Sequence, residues 1–593
     1  MEKKLYLLFF IIFLIALILG KKNLFAQPIE KSTVALKHKV EMMDTNEKLL
    51  IWIFFNDKGD NIDTYYLKPQ SIVSEKSLLR REKISRNNSL IDFSDLPIFQ
   101  SYIEKLSMYS FKVKQKSKWF NGVSGFADKI QIKSILNLRF VKKLDIVTKL
   151  AKYNEERSNN LNPPDKDFKL NQMNSFPQSW LIDYGESIIQ NYQINVPAVH
   201  DMGILGQGVT ICLMDVGFLR LSHEVFSHMN IIAKWDFVDN DSTVDDSSFH
   251  YHYLGGHGTA TLSVIGGFKP GKLIGPAFAS NYILARTEDI FSETPIEEDN
   301  WIAAIEWADS IGVDVTSTSL SYLTFDSTYQ SYTWENMDGK TARITIAADL
   351  AVKKGIVVVN SADNGGYDSL HNTLGAPADG DSVIAVGAVY PSGERAEFSS
   401  VGNTTDGRIK PDVMALGVNV IIADAFSGDT AYSTASGTSL SCPLAAGVAA
   451  LILSQDPSLT PIQVRDAMRN TASNFYNPNR EYGWGILNAF KALKSIVNVT
   501  DNFISTSKFI LYQNYPNPFN PTTNFGFRIA NSGFVSLKVF DLLGREVSTL
   551  VNEEKPAGTF KVIWNAANLP SGVYFYQLKS GSYTTTKKLL LIK

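Results

Sequence analysis

The sequence predicts a central α/β domain built on a parallel sheet, preceded by a small α+β domain and followed by an all-β sandwich. Three observations lead to this prediction. Short, nearly all-apolar runs alternate with helix-like segments over residues 179–497, as in parallel sheets covered on both faces. Strand-like and helix-like runs are mixed over residues 27–150, and strands without a convincing helix fill residues 511–593. The predicted strands of this last region are Val535–Phe540, Phe560–Trp564, Val573–Leu578 and Lys588–Ile592.

Length and composition fit a globular protein of several domains. The chain has 593 residues, which is too many for one ordinary core, and its 44% hydrophobic and 20% charged residues are close to globular averages. A net charge of −3 does not indicate the basic surface that binds nucleic acid, so we expect no nucleic-acid partner. We also expect a monomer. Cys212 and Cys442 lie in apolar segments, which favours buried thiols and leaves a disulfide open.

The first residues have the order of a signal peptide. Lys3 and Lys4 precede an apolar run from Leu5 to Leu19, which is shorter than a spanning helix needs, and small Ala26 follows. We therefore predict a signal peptide over residues 1–26. An uncleaved membrane anchor is the alternative.

Residues 27–150 predict the small α+β domain. The strand-like runs are Leu49–Phe55 and Phe140–Val147, and the helix-like runs are Glu75–Arg86 and Ile130–Leu136. Residues 151–178 are rich in Asn, Lys, Asp and Pro, which predicts an exposed linker open to proteolysis.

The central domain, residues 179–497, contains runs typical of buried parallel strands. These runs are Val209–Met214, Val357–Val359 and Val383–Val386, with helical spacing in Asn300–Ile311 and Ala342–Lys354. Open parallel sheets place their sites at the carboxyl ends of the strands. Asp215 directly follows the first of these runs, so its carboxylate is a candidate site residue.

Two further segments carry reactive side chains. His257 lies in the stretch Gly255–Thr261, whose small residues bring the backbone close to the imidazole, and a helix is predicted to start there. Ser439 stands just before the apolar run Leu444–Leu453, and Pro443 predicts a first helical turn there, with free N–H groups close to the serine. A serine hydroxyl needs a base, and an imidazole held by a carboxylate supplies one. Taken singly, each residue is more often part of a turn or loop.

The chain order discriminates between folds that carry such a triad. The order Asp215, His257, Ser439 is that of subtilisin and differs from α/β-hydrolases and chymotrypsin-like barrels. The segments around the three residues resemble the active-site signatures of the subtilase family, with Gly256–Thr259 and Gly437–Ser439 matching closely. The resemblance implies a serine endopeptidase that forms an acyl-enzyme and requires no cofactor or metal for catalysis.

The same resemblance implies further site residues. Asn364, after the strand-like run that begins at Val357, would be the oxyanion-hole asparagine, and Ser319, Leu320 and Ser321 would form the edge that pairs with extended substrate. Asp363 departs from the family pattern, which has glycine before the asparagine. Its carboxylate would either oppose the oxyanion or turn away and meet a basic substrate side chain, and both alternatives stay open.

Calcium is left open as a structural ligand. Residues Asp236–Asp246 contain five aspartates but lack the EF-hand pattern, which favours a solvated loop.

The flanking regions carry resemblances of their own. Trp119–Phe126 and the runs after it resemble the latter half of subtilase propeptides, which implies a folding aid and temporary inhibitor. After a linker at 498–510, the segments Tyr515–Thr523, Asn568–Tyr574 and Lys587–Lys593 resemble the C-terminal sorting domain of type IX secretion substrates. This implies the type IX machinery as a partner, protein or peptide substrates, and a secreted or cell-surface location reached through the periplasm. A carbohydrate- or partner-binding sandwich is the alternative for the last domain.

Two other functions compete with a secreted endopeptidase. A catalytically silent surface binding protein could keep the fold, and an esterase could use the same triad. All four reactive positions are filled, which favours the endopeptidase.

Overall fold

The computed structural model describes residues 31–147, 180–496 and 509–593, apart from gaps at 45–46, 61, 85–88, 246–255, 327–328, 330, 515–516, 530, 557 and 582. The predicted signal peptide, the linker 151–178 and nearly all of the linker 498–510 lie outside the described residues. The chain divides into two compact units, residues 1–62 with 96–148 and residues 63–95 with 149–593.

The first unit is an antiparallel sheet with helices packed against it, which fits the predicted α+β character. Alternate residues of the first strand, Leu49 to Phe55, are buried with residues of the helices in one apolar core. The strands are β1 Lys48–Phe55, β2 Gln115–Ser117, β3 Gly122–Asp128 and β4 Val141–Ile146, and the helices are Val34–Met42, Gln100–Ser107 and Lys129–Leu136. In the described part of this unit the strand order is β2-β3-β1-β4.

The second unit is centred on a parallel sheet, as predicted. The parallel strands are β5 Thr210–Asp215, β6 Asn230–Asp236, β9 Asn281–Arg286, β10 Val315–Thr318, β11 Val357–Ser361, β12 Ile384–Val389 and β13 Val413–Leu416. Over the described residues their order in the sheet is β13-β12-β11-β10-β5-β9-β6. Every residue of β5, β11 and β12 is buried, because helices cover both faces. Two short hairpins pair β7 Phe268–Lys269 with β8 Leu273–Ile274, and β14 Val420–Ala423 with β15 Tyr432–Ala435.

The central helix of this unit is Thr438–Gln455. It is the one described helix long and apolar enough to cross a membrane, but 83% of it is buried inside the fold, so it is a core helix. Residues 444–453 are buried throughout, as the apolar run predicted. The other helices are Ile188–Gln193, Val196–His200, His257–Gly266, Ile296–Ile311, Arg343–Lys353, Pro461–Asn470 and Ala489–Ile496.

Residues 63–95 belong to the second unit and contain the helices Asp63–Leu67 and Glu75–Glu82. Arg80 and Arg81 of the second helix are buried, and both guanidinium groups pair with the fully buried carboxylate of Asp309, with 2.6 Å from Arg81 Nη2 to Asp309 Oδ2. Arg81 also binds Asp95, which accepts a 2.9 Å hydrogen bond from Lys354 Nζ. This buried ion cluster joins the segment to the Ile296–Ile311 helix.

The C-terminal region is a sandwich of two antiparallel sheets around a shared apolar core, which confirms the predicted all-β domain. The strands are β16 Ile510–Leu511, β17 Thr522–Ile529, β18 Gly533–Phe540, β19 Glu546–Lys555, β20 Gly558–Asn565, β21 Gly572–Ser580 and β22 Tyr583–Leu591. In the described residues the sheet orders are β16-β17-β20 and β19-β18-β21-β22.

Candidate active site

Asp215 ends strand β5 at the carboxyl edge of the parallel sheet and is 1% exposed. Its Oδ1 accepts a hydrogen bond from the Val216 amide at 2.9 Å and lies 2.7 Å from His257 Nδ1. Its Oδ2 accepts the Thr261 hydroxyl at 2.9 Å. Both oxygens of this buried carboxylate are therefore satisfied, and one of them orients the imidazole.

His257 is the first residue of the helix His257–Gly266, which places its ring beside the end of β5. A β-carbon at Gly258 would lie 2.1 Å from the Gly217 carbonyl oxygen, so only glycine allows the helix to approach this loop. Burial lowers the pKa of His257, but the charge of Asp215 and its hydrogen bond outweigh burial, so that the pKa is raised above its ordinary value.

Thr261 was missed by the sequence analysis. It stands four residues after His257 on the same face of the helix, so both side chains reach Asp215. This spacing of one helical turn is the signal that could have identified it.

Ser439 is the second residue of the Thr438–Gln455 helix, close to the helix N-terminus as predicted. The predicted position of Pro443 in the first turn is wrong: the helix already begins at Thr438, so Pro443 lies in its second turn. Because proline has no N–H, the Ser439 carbonyl lacks its helical donor. The Ser319 hydroxyl donates to that carbonyl at 2.7 Å, and Ser439 Oγ donates to the Ser319 carbonyl at 3.2 Å.

Asn364 lies beside this serine. Its Oδ1 accepts hydrogen bonds from the Thr438 amide and the Thr438 hydroxyl, both at 3.0 Å, which leaves its NH₂ group as a donor. A β-carbon built on Gly437 would lie 3.8 Å from Asn364 Nδ2 and 3.7 Å from the Ser439 amide nitrogen. These two donors therefore border the space that the glycine leaves free.

Ser319, Leu320 and Ser321 follow directly after strand β10. The Leu320 carbonyl accepts a hydrogen bond from Asn360 Nδ2 at 3.0 Å, and the Leu320 side chain packs with Val216 and Ile290. A hydrogen bond thus connects Asp215 directly to His257. Ser439 is hydrogen-bonded to Ser319 and directly follows Thr438, which is hydrogen-bonded to Asn364.

The aspartate-rich loop does not offer a free calcium site at its start. Arg286 Nη1 binds Asp236 Oδ2 at 2.6 Å and Asp239 Oδ2 at 2.7 Å, and Asp236 Oδ1 accepts two backbone amides. Asp246 lies outside the described residues. Carboxylates already held by a guanidinium group fit a structural turn better than a divalent cation.

A different carboxyl cluster was missed by the sequence analysis. Ligand oxygens of Glu288, Glu293 and Glu297 all lie within 4.8 Å of one another. Burial and the neighbouring carboxylates raise the pKa of Glu297 to about 11, and burial raises the pKa of Glu288 to about 7. Such oxygens could hold a hard cation. Glu288 and Glu293 precede the helix Ile296–Ile311, which carries Glu297, and this spacing matches no metal-binding motif.

Comparisons with known proteins agree with this geometry. The profile described as "Subtilase family" matches residues 206–485. Subtilisin NAT of Bacillus subtilis subsp. natto is 35% identical over 309 residues, which cover 52% of this chain and 71% of the relative. The chain belongs to the subtilase family. The subtilisin of Bacillus pumilus is 35% identical, covering 50% of this chain and 94% of the relative, and M-protease of Shouchella clausii (strain KSM-K16) is 28% identical, covering 51% and 68%.

The flanking regions of this subtilase match their own profiles. The profile "Peptidase S8 propeptide domain, Bacteroidota" covers residues 50–162, and "Secretion system C-terminal sorting domain" covers residues 513–593. The resemblances drawn from the sequence are therefore confirmed. The chain is a serine-type endopeptidase with a propeptide and a type IX sorting domain, exported across the outer membrane to the cell surface or the medium.

Proposed function

We propose that the chain hydrolyses internal peptide bonds of proteins through the triad Asp215, His257 and Ser439 and an acyl-enzyme intermediate. The observation that carries this proposal is the 2.7 Å hydrogen bond from the Asp215 carboxylate to His257 Nδ1. With Nδ1 protonated and bonded to the carboxylate, Nε2 is the basic nitrogen. The helix that begins at His257 packs against the helix that carries Ser439.

The reaction has two halves, acylation of the serine and hydrolysis of the acyl-enzyme. The Ser439 hydroxyl turns from the Ser319 carbonyl towards His257 Nε2, which takes its proton as Oγ attacks the scissile carbonyl carbon. The imidazolium then gives this proton to the leaving amine as the peptide bond breaks. Water, deprotonated by the same nitrogen, hydrolyses the resulting ester and restores the hydroxyl. Asp215 stabilises the imidazolium throughout.

Two donors stabilise the oxyanion in this scheme. Asn364 Nδ2 and the Ser439 amide border the space beside Gly437, and the first turn of the Thr438–Gln455 helix adds its positive end. Loss of one such side-chain donor costs about 3–4 kcal/mol of barrier in subtilisin, a family relative.

Substrate binding uses the edge formed by Ser319, Leu320 and Ser321. This pairing uses main-chain hydrogen bonds, which do not depend on the side chains of the substrate. Cleavage is therefore broad, and the main selectivity comes from the pocket that holds the side chain of the residue whose carbonyl is attacked. No step of the scheme requires a cofactor or a metal. If a structural calcium ion binds, the cluster Glu288, Glu293 and Glu297 offers it oxygen ligands.

The protein is made as a precursor with the organisation expected from the sequence. We propose a signal peptide at 1–26, a propeptide at 27–150 with a cleavable linker at 151–178, a peptidase domain at 179–497, a linker at 498–510 and a sorting domain at 511–593. Removal of the propeptide activates a monomeric enzyme.

Labelling with an alkyl fluorophosphonate tests the nucleophile. The purified protein, after propeptide removal, should react with one equivalent of reagent, and Ser439→Ala should abolish the reaction. Ser441→Ala is the matched control, because Ser441 is buried two residues further along the same helix and should leave labelling intact. No labelling of the processed protein would favour a silent binding protein, and turnover of simple esters but not peptides would favour an esterase.

A further inference from the structure

One stretch of the propeptide belongs structurally to the peptidase domain. The propeptide profile covers residues 50–162, but residues 63–95 lie in the same compact unit as residues 149–593. The parts of the propeptide on either side, residues 1–62 and 96–148, form the other unit. We call residues 63–95 the inserted segment. For this segment, the division by packing differs from the division by family profile.

The inserted segment supplies hydrogen-bond donors to the end of the helix Ile296–Ile311. The last carbonyls of an α-helix have no donor within the helix. The Ser74 amide donates to the Ser310 carbonyl at 2.8 Å, and the Ser74 hydroxyl donates to the Ile311 carbonyl at 2.7 Å. Gly312, with a φ of +98°, ends this helix, and a β-carbon there would lie 2.9 Å from Ser74 Oγ. Glycine therefore allows the segment to approach the helix end closely.

The end of the helix Arg343–Lys353 receives a donor in the same way. Arg80 Nε donates to the Lys354 carbonyl at 3.1 Å, and Arg80 Nη1 donates to the Val313 carbonyl. A β-carbon at Gly355, which has a φ of +95°, would lie 3.1 Å from Arg80 Cγ. A cation is also favoured at the C-terminal end of a helix, where the helix dipole is negative. One buried side chain of the inserted segment thus serves the ends of two peptidase helices.

The charges on the two sides of this contact are opposite. The buried carboxylate of Asp309 pairs with Arg80 and Arg81 of the segment. Lys76 Nζ lies 2.7 Å from Asp314 Oδ2. Loss of the segment would leave the carboxylates of Asp309 and Asp314 without these cations. Breaking a buried ion pair by removal of one partner is strongly unfavourable, so these contacts oppose release of the segment.

We propose that the inserted segment stays bound to the peptidase domain, as a part of the active enzyme, after the rest of the propeptide has been cut away. This inference rests on the proposed function, because it concerns what remains once the precursor has been processed. The active enzyme then consists of two polypeptides, and the partner of the two helix ends is residues 63–95 of the same chain. Removal of the propeptide releases only the stretches on either side of the segment.

Processed wild-type enzyme tests the inference without any substitution. Protein labelled at Ser439 by an alkyl fluorophosphonate is purified by gel filtration in high-salt buffer, which weakens exposed ion pairs more than buried ones. Mass spectrometry under denaturing conditions should then find about one peptide from residues 63–95 for each labelled chain. Labelled enzyme that carries no such peptide, or that carries the intact propeptide instead, would overturn the inference. Absence of labelling would instead contradict the proposed function.

Substitutions in the segment test whether the buried contacts retain it. Arg80→Met keeps a long side chain but removes the guanidinium group, so the amount of retained peptide should fall at least about tenfold after equal dilution. Lys76→Met removes a partly exposed ion pair and should cause a smaller loss, and this variant carries the test if Arg80→Met does not fold. Glu82→Gln changes an exposed residue of the same helix and should retain as much peptide as wild type. Equal retention in all three variants would contradict the inference.

Discussion

Asp215 and Asp309 are two buried carboxylates of the same compact unit, and their partners differ in kind. Asp215 is bound by an imidazole, a hydroxyl and a backbone amide. Asp309 is bound by the guanidinium groups of Arg80 and Arg81. A carboxylate whose partner is an imidazole can stabilise the positive charge that the imidazole gains and loses during a reaction. A carboxylate between two guanidinium groups has partners whose charge does not change.

The surroundings of Asp309 show how strongly such a cluster fixes charge. Burial raises the pKa of the neighbouring Asp95, but the hydrogen bond from Arg81 and the charges of Lys354 and Arg81 outweigh it, so that its pKa falls to about 2. Burial alone therefore does not mark a catalytic carboxylate. The nature of its hydrogen-bond donors separates a group that serves chemistry from one that serves stability.

Replacing Asp215 should have the largest effect, and mainly on the rate of catalysis. In Asp215→Asn the side chain keeps its size but no longer stabilises the imidazolium, so kcat/KM should fall by about four orders of magnitude. The variant should still unfold cooperatively at a similar temperature, as measured by circular dichroism. A loss of less than tenfold would contradict the role proposed for Asp215.

Replacing Asp309 should have the opposite profile. Asp309→Asn leaves the buried Arg80 without its counter-charge and leaves Arg81 with Asp95 alone, which should lower the free energy of unfolding of the precursor by about 3–5 kcal/mol. The measurement is denaturant unfolding in a Ser439→Ala background, which prevents self-cleavage. Asp466→Asn, a change at a partly exposed ion pair, is the control and should cost less than about 1 kcal/mol. Equal stability of both variants would refute the structural role of the cluster.

Thr261 provides a smaller and more specific test. Thr261→Val preserves the shape but removes the hydroxyl that donates to Asp215 Oδ2, so an ionised oxygen loses its partner. We expect kcat/KM to fall about tenfold, in line with a lost hydrogen bond to a charged group. Thr261→Ser keeps the hydroxyl and should recover most of the activity. If Val and Ser behave alike, the hydroxyl has no part in orienting the carboxylate.

The sequence predicted the parts of the fold that depend on local pattern. Apolar runs such as Val209–Met214 became buried strands because both faces of the parallel sheet are covered. Strand β19 was missed because it is an edge strand with mostly polar, exposed residues, among them Glu553 and Glu554. Strand β17 was missed because it begins directly after a proline-rich turn.

The site was predicted where motifs carry it and missed where distant segments meet. Asp215, His257 and Ser439 each lie in a recognisable segment. Arg81 and Asp309 are 228 residues apart, and the helix Glu75–Glu82 reads as polar and solvated, so nothing local indicates that its arginines are buried. Ser319 was assigned to the substrate edge, but its hydroxyl bond to Ser439 arises from Pro443, which only the helix register reveals.

The pH dependence of His257 provides the most sensitive comparison of Asp215 with Asp309. As pH rises, catalytic activity should increase while the stability of the fold decreases. The pKa of His257 is raised in the folded state, so the pair with Asp215 stabilises the fold fully below the unfolded pKa and loses this contribution as pH rises through the folded pKa. Proton transfer from Ser439 needs the neutral imidazole, so kcat/KM should rise over the same interval. Asp215→Asn removes the charge that raises the pKa, and the midpoint of its residual activity should move to lower pH. Asp309→Asn leaves His257 and Asp215 in place, so the midpoint of the pH–activity curve of this variant should match that of the wild type. A shift of equal size in both variants would show that the two carboxylates are not independent.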